Sequence, residues 1–201
     1  DFFDFIPLND ETLGIAIGDV SDKGVPAALF MALTSNLLRA EARRSSSAGE
    51  TLGNVHRQLM EINDAGMFVT VFYGVLCGAT RQLRYSRAGH ELPIICDAQG
   101  ELMTLPQAPG LPLGAADEIL LDEQAIVLPP GGTVLFYTDG VTDALDTQGR
   151  EFGLERLRQL VVENRNNPAQ AICDMLLKRT ESHRAENPQY DDITLVAIRV
   201  K

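Results

Sequence analysis

Residues 1–19 read DFFDFIPLNDETLGIAIGD, two apolar segments separated by Asn9-Asp10-Glu11-Thr12, which is the pattern of a β-hairpin. A turn centred near Asp10 sets Asp1 opposite Asp19. Side chains alternate along a strand, so Asp1, Phe3 and Phe5 share one face of the first strand, and Ile15, Ile17 and Asp19 share one face of the second. Two carboxylates then meet at the edge of an apolar face.

Outward from this hairpin the chain passes through the loop VSDKG, and Pro26 stands where the first turn of a helix accepts it. The periodicity predicts a helix over 27–43, a break at Ser45-Ser46-Ser47-Ala48-Gly49, and a second amphipathic helix over 51–62 with Leu52, Val55, Leu59 and Ile62 at helical spacing. From Phe68 the pattern becomes β: FVTVFYGVLC, QLRYSRAG, LPIICD, then ELMTL after Ala98-Gln99-Gly100, with a meander as the simplest account. Pro and Gly punctuate 106–114, and strands resume at AIVLPP and TVLFYTD. Helices follow over 154–163 and 168–183, the latter with Asn167 as N-cap before Pro168, and ITLVAIRV forms the last strand.

Antiparallel strands with helices grouped between them give an α+β fold, and strands as apolar as TVLFYTD and ITLVAIRV are covered on both faces. A four-layer αββα sandwich, two antiparallel β-sheets flanked by helices, satisfies both conditions. The 201 residues, 45% of them hydrophobic, suffice for one domain with a sizeable core. With 17 Lys+Arg against 28 Asp+Glu the net charge is −11, which works against nucleic acid or an anionic membrane as partner. Cys77, Cys96 and Cys173 show no CxxC spacing, and no apolar run reaches the roughly 20 residues that span a bilayer. A reducing cytoplasm is the expected compartment. Because the chain opens inside a strand, we expect the natural protein to carry upstream residues, with a sensor or linker domain ahead of this domain, which is truncated at its N-terminus.

Chemistry must come from the acids, since His56, His90 and His183 lack the HxH or HxxxH spacing of a zinc site. Asp recurs at the ends of apolar strands: Asp19 in LGIAIGD, Asp139 in VLFYTDG, and Asp191-Asp192 before ITLVAIRV. Gly18 and Gly140 adjoin two of them, and glycine lets backbone approach an ion or phosphate. Clustered carboxylates repel unless a cation joins them, and all-oxygen ligation selects Mg²⁺, Mn²⁺ or Ca²⁺. An Asp after a strand also serves as a turn former or helix cap, so the residues alone leave both readings open.

The segments IGDVSDKGVPAALFMAL, FVTVFYGVL, RAGHELPII, LPLG, FYTDGVTDAL, FGLERL and YDDITLVAIRV follow one another in an order that resembles the metal-dependent protein phosphatases (PPM, type 2C-like), in the bacterial SpoIIE/RsbU-like branch. The resemblance covers nearly the whole chain. It implies two Mn²⁺ or Mg²⁺ ions, with Asp1, Asp19, the Val20 carbonyl, Asp139 and Asp191 as ligands. Asp19 and Asp139 are the principal catalytic positions, Asp19 as the bridging carboxylate. Asp192 matches the site where eukaryotic members carry Asn, and Ser21 stands where they carry the His of DGHG, so water is left to protonate the leaving group.

The implied reaction is hydrolysis of a phosphoserine or phosphothreonine monoester without a phosphoenzyme. The implied substrate is a STAS-type anti-sigma-factor antagonist in a bacterial signalling or stress-response pathway, with activity switched by a sensor domain in the same chain through helices 27–43 and 51–62. Dimerisation through those helices is compatible with this reading. His90 reads as structural and Lys23 as a solvated loop residue, while Thr70, Thr138 and Thr194 read as sheet residues. Asp143 and Asp146 are divided between a further ion and turn capping, and Asp22 and Asp64 read as loop acids. The rival function is a catalytically silent phosphatase fold that docks a partner. Haloacid-dehalogenase and receiver folds are disfavoured, because no DxD follows the first strand and βα alternation is missing.

Overall fold

The structure is a computed structural model describing residues 1–45, 47–63, 66–106 and 110–201. Asp64 lies outside the described residues, as do Ser46 of the serine loop and 107–109 of the Pro/Gly segment. The chain divides into two compact units, 1–92 with 105–127 and 93–104 with 128–201. The α+β class holds, with two antiparallel sheets and four helices among the described residues.

The first unit holds β1 (Phe2–Pro7), β2 (Thr12–Val20), α1 (Val25–Ala42), α2 (Ala48–Met60), β3 (Val69–Cys77), β4 (Gln82–Ala88) and β6 (Gln124–Val127), its strands ordered β1-β2-β3-β4-β6. The opening hairpin forms as its alternation predicts. Asn9 accepts hydrogen bonds from the Glu11 and Thr12 amides, both at 2.9 Å, and so closes the turn with its own side chain. One face of the sheet, carrying Phe2, Ile6, Ala16, Val71 and Tyr73, packs with Phe30 and Leu38 of α1 and Leu52, Val55 and Leu59 of α2. On the opposite face Ile15, Ile17 and Phe72 are also buried, while Phe3 and Phe5 on the edge strand are exposed.

α1 is tied to the hairpin by Arg39, whose Nε donates to Asp4 Oδ2 at 2.9 Å and whose Nη2 donates to Asp4 Oδ1. α2 begins three residues earlier than predicted. Ser47 Oγ accepts from the Glu50 amide at 3.2 Å, and the Glu123 carboxylate accepts from the Ala48 amide, so the free donors of the first turn are satisfied ahead of Thr51.

The second unit holds β5 (Ile94–Cys96), β7 (Thr133–Tyr137), α3 (Leu154–Asn164), α4 (Ala169–Arg184) and β8 (Leu195–Arg199), with sheet order β5-β7-β8. Leu135 and Tyr137 of β7 pack with Leu157, Leu160, Ile172 and Leu176 of the helices, and the alternate residues Val134 and Phe136 are buried as well. Both faces of β7 are therefore buried, as its apolar sequence predicts, whereas β8 is buried only at Val196 and otherwise half-buried.

Three expectations are corrected. The strands do not form one meander, because β5 joins the second sheet and β6 returns to pair with β4. ELMTL forms no named strand and pairs back only briefly, through the Cys96↔Leu102 bridge with the Met103 amide donating to the Ile95 carbonyl at 2.9 Å and the Asp97 amide to the Glu101 carbonyl at 3.0 Å. Asp97 draws 97–101 into a tight turn, accepting from the Gln99 and Glu101 amides, and the chain leaves this unit after Thr104. Asn167 does not cap α4; Pro168 holds the cap position without a side-chain bond, while Asn167 Nδ2 donates to Asn164 Oδ1.

Candidate active site

In the first unit the acids sit where the hairpin ends. The β1–β2 register pairs Phe2 with Gly18 at its end, one step short of the Asp1–Asp19 pair that the turn position predicts. Asp19 and Val20 close β2 opposite Thr70 and Val69 of β3. The Thr70 hydroxyl bonds His90 Nδ1 at 2.8 Å, and the His90 carbonyl accepts from Arg87 Nη1 at 2.9 Å, so His90 is a buried structural residue. Beyond Val20, Ser21 exchanges bonds with Phe68 through its amide at 2.9 Å and its Oγ at 3.0 Å. Asp22 (φ 67°) and Gly24 (φ 90°) then turn the exposed loop, which includes Lys23, into α1.

Gly18 serves this geometry in a way the sequence did not suggest. A Cβ there would lie 2.6 Å from the Phe2 ring and 2.7 Å from the Thr70 carbonyl, so glycine admits the neighbouring strands.

In the second unit the ends of β7 and β8 are locked together. The Thr138 amide donates to the Thr194 carbonyl at 3.2 Å, and the Thr194 amide donates to Thr138 Oγ1 at 3.0 Å. Both threonines thus extend the sheet pairing by one step, with Asp139 immediately beyond. A Cβ on Gly140 would fall 2.0 Å from the Asp192 carbonyl oxygen, so the glycine of TDG is needed for the passage of the Asp191-Asp192 backbone. Here too the close approach is chain to chain.

The Asp139 carbonyl accepts from the Asp143 amide at 2.8 Å and from the Thr142 hydroxyl at 3.0 Å, which folds 139–143 into a turn. Asp139 is half-buried. Burial first, then the carboxylates of Asp143 and Asp191, push its pKa above the ordinary value despite bonds from local backbone amides. The Asp191 carboxylate accepts from the Asp192 amide at 3.0 Å, and its carbonyl accepts from Gln189 Nε2 at 2.9 Å.

Asp143 and Asp191 therefore both lie close enough to oppose the ionisation of Asp139. Asp143, divided at the sequence level between two roles, belongs with Asp139 and Asp191; its four-residue spacing from Asp139 across a TDG turn was the available signal. Asp146 does not. Its carboxylate accepts from the Arg150 and Gln148 amides at 2.9 and 2.8 Å and pairs with the Arg150 guanidinium, which together hold its pKa down to about 2.

The donor chemistry in each unit is that of hard oxygen, suited to Mg²⁺ or Mn²⁺. Repulsion at Asp139 is the electrostatic condition that a divalent cation relieves. Among the described residues no group of three or more His, Cys, Asp or Glu side chains is drawn into a metal-holding cage. The fit therefore rests on donor type and charge. His56 is spent on structure, its Nδ1 accepting from the Gly114 amide at 3.2 Å.

The family described as Stage II sporulation protein E (SpoIIE) matches residues 9–201. The chain belongs to the SpoIIE family. Among curated relatives, this SpoIIE-family chain is 31% identical to Protein IcfG of Synechocystis sp. over 98% of its length and 30% identical to the phosphoserine phosphatase RsbU of Bacillus subtilis over 100%. It spans 35% and 59% of those two proteins. Among solved structures, the RsbU and RsbW domains of Rv1364c from Mycobacterium tuberculosis match 98% of the chain and 55% of their own, with TM-score 0.83 and 26% identity. The SiaA-PP2C domain of Pseudomonas aeruginosa matches 100% of the chain and 85% of its own, with TM-score 0.84 and 22% identity, a likeness of fold. No helix among the described residues is long and apolar enough to cross a membrane.

Proposed function

We propose that this chain is a metal-dependent protein serine/threonine phosphatase domain acting on phosphoserine or phosphothreonine in a STAS-type anti-sigma-factor antagonist. The observation that carries the reading is the state of Asp139, a half-buried carboxyl at a strand end opposed by Asp143 and Asp191. Clustered acids of this kind cost stability, and a fold that only docked a partner has no use for them. The name of the relative RsbU, a phosphoserine phosphatase, supports the substrate class.

The proposed ligands are Asp1, Asp19 and the Val20 carbonyl at the end of the β1–β2 hairpin, and Asp139 and Asp191 at the ends of β7 and β8. Two Mn²⁺ or Mg²⁺ ions, when bound, supply water activation and neutralise charge developing on the phosphoryl oxygens. The chain's own part is to hold the carboxylates in place: Thr138 and Thr194 fix Asp139 against Asp191, and the three-strand register fixes Asp19. Gly140 keeps the Asp191-Asp192 backbone beside Asp139. With Ser21 engaged by Phe68, solvent protonates the leaving alkoxide.

The proposal includes a sensor domain elsewhere in the same polypeptide, regulation through α1 and α2, and a cytoplasmic setting. The greater length of the relatives supports the first of these, and the Arg39–Asp4 tie between α1 and the hairpin supports the second. p-Nitrophenyl phosphate hydrolysis measured with Mn²⁺ and with chelator, beside Asp19→Ala, tests the activity. Turnover that requires Mn²⁺ and is lost in the variant is expected; metal-independent or absent turnover rejects it in favour of a docking module.

A further inference from the structure

A cavity of about 290 Å³ opens in the second unit beside the acid cluster, and Gly140, Asp143 and Asp191 lie in its lining. The rest of its wall is mostly apolar, formed by Ala144, Leu145, Pro188 and Tyr190. Leu145 is 43% exposed and Tyr190 86%, a large apolar investment at the surface of a strongly acidic chain. Ligand pockets start at about 300 Å³, so this volume suits one or two side chains rather than a cofactor.

One polar group in the lining is left over. Arg184, at the end of α4, donates from Nη1 to the Asn187 carbonyl at 3.1 Å, but its buried Nε–H has no acceptor among the described residues. A buried donor without a partner is costly to the fold. The walls are held by Asn187, whose Nδ2 donates to the Leu145 and Asp146 carbonyls at 3.1 and 2.7 Å, so the cavity is braced across its base.

We infer that this cavity is the specificity pocket for the polypeptide flanking the phosphoresidue. It receives an apolar side chain, such as Leu or Met, within two positions of the phosphoserine. The inference rests on the phosphatase reading of Asp139 and Asp191. Asp143 and Asp191 belong both to the acids around Asp139 and to the cavity lining, so a side chain within two positions of a residue anchored there, about 7 Å of extended chain, falls within range of the cavity. Asp143 and Asp191 at the rim disfavour an acidic side chain there.

The test is a set of phosphoserine peptides carrying Leu, Lys or Glu beside the phosphoresidue, with p-nitrophenyl phosphate as the probe without flanking chain. The intact protein is expected to favour the Leu over the Glu peptide by roughly tenfold in kcat/KM. Leu145→Glu is expected to collapse the Leu preference and favour Lys, and Tyr190→Ala, at a highly exposed site, to reduce the Leu/Glu ratio. Each ratio is read within one variant, so altered metal binding or folding cancels. Hydrolysis of p-nitrophenyl phosphate with flat peptide ratios, or ratios unmoved by both substitutions, overturns the pocket alone. Absence of turnover with every substrate overturns the phosphatase reading and the pocket with it.

Discussion

Residue 140 has no room for a Cβ, because the carbonyl oxygen of Asp192 would stand 2.0 Å from it. Gly140→Ala must therefore displace the Asp191-Asp192 backbone or the turn that carries Asp139. Misplacing a reacting constellation by about 1 Å costs on the order of 10²-fold in rate. Steady-state hydrolysis of p-nitrophenyl phosphate is expected to fall by about that factor, a result a merely flexible loop glycine would not give.

Gly53 makes the opposite case. It lies inside α2, and nothing stands within 4 Å of its Cβ position. Gly53→Ala is expected to raise stability by about 0.5–1 kcal/mol through helix propensity alone, read as an increase in urea midpoint without a change in m.

The α2 cap is a third test. Ser47→Ala removes the acceptor for the Glu50 amide and is expected to cost about 1 kcal/mol by the same urea measurement. Glu123 still accepts from the Ala48 amide, so the helix frays at its start without being lost.

Two carboxyls give opposite pH signatures in the metal-free protein. Asp139, raised on folding, favours the native state below the unfolded pKa of 3.8, and that advantage is lost as pH rises through the folded value. Asp139→Asn is therefore expected to stabilise the metal-free protein at neutral pH, with the difference vanishing below 3.8. Asp146, held at about 2, contributes stability above 3.8 that is lost as pH falls toward 2. Asp146→Asn is expected to destabilise at neutral pH and to match the parent near pH 2. Denaturation curves across this range check both signs.

The opening hairpin was legible because every device that shapes it is local: alternation of period 2, Asn9 in the turn, and a count that leads toward the Asp1–Asp19 pair. The switch of β5 to the second sheet was not, since nothing in IIC states which strand will pair with it. The partners that require glycine at 18 and 140, the Phe2 ring and the Asp192 carbonyl, are non-local and so were not legible. The start of α2 was missed although Ser47 and Glu50 stand at capping-box spacing, because the serine run also reads as a loop. In the site, Asp19, Asp139 and Asp191 stood out at strand ends, whereas the closeness of Asp143 to Asp139 emerged only from the fold of the TDG turn.

The most direct test of the metal centre is the anomalous difference density of crystals grown with Mn²⁺. The account predicts manganese peaks in contact with the carboxylates of Asp19, Asp139 and Asp191; manganese bound at Asp19 and absent from Asp139 would contradict it.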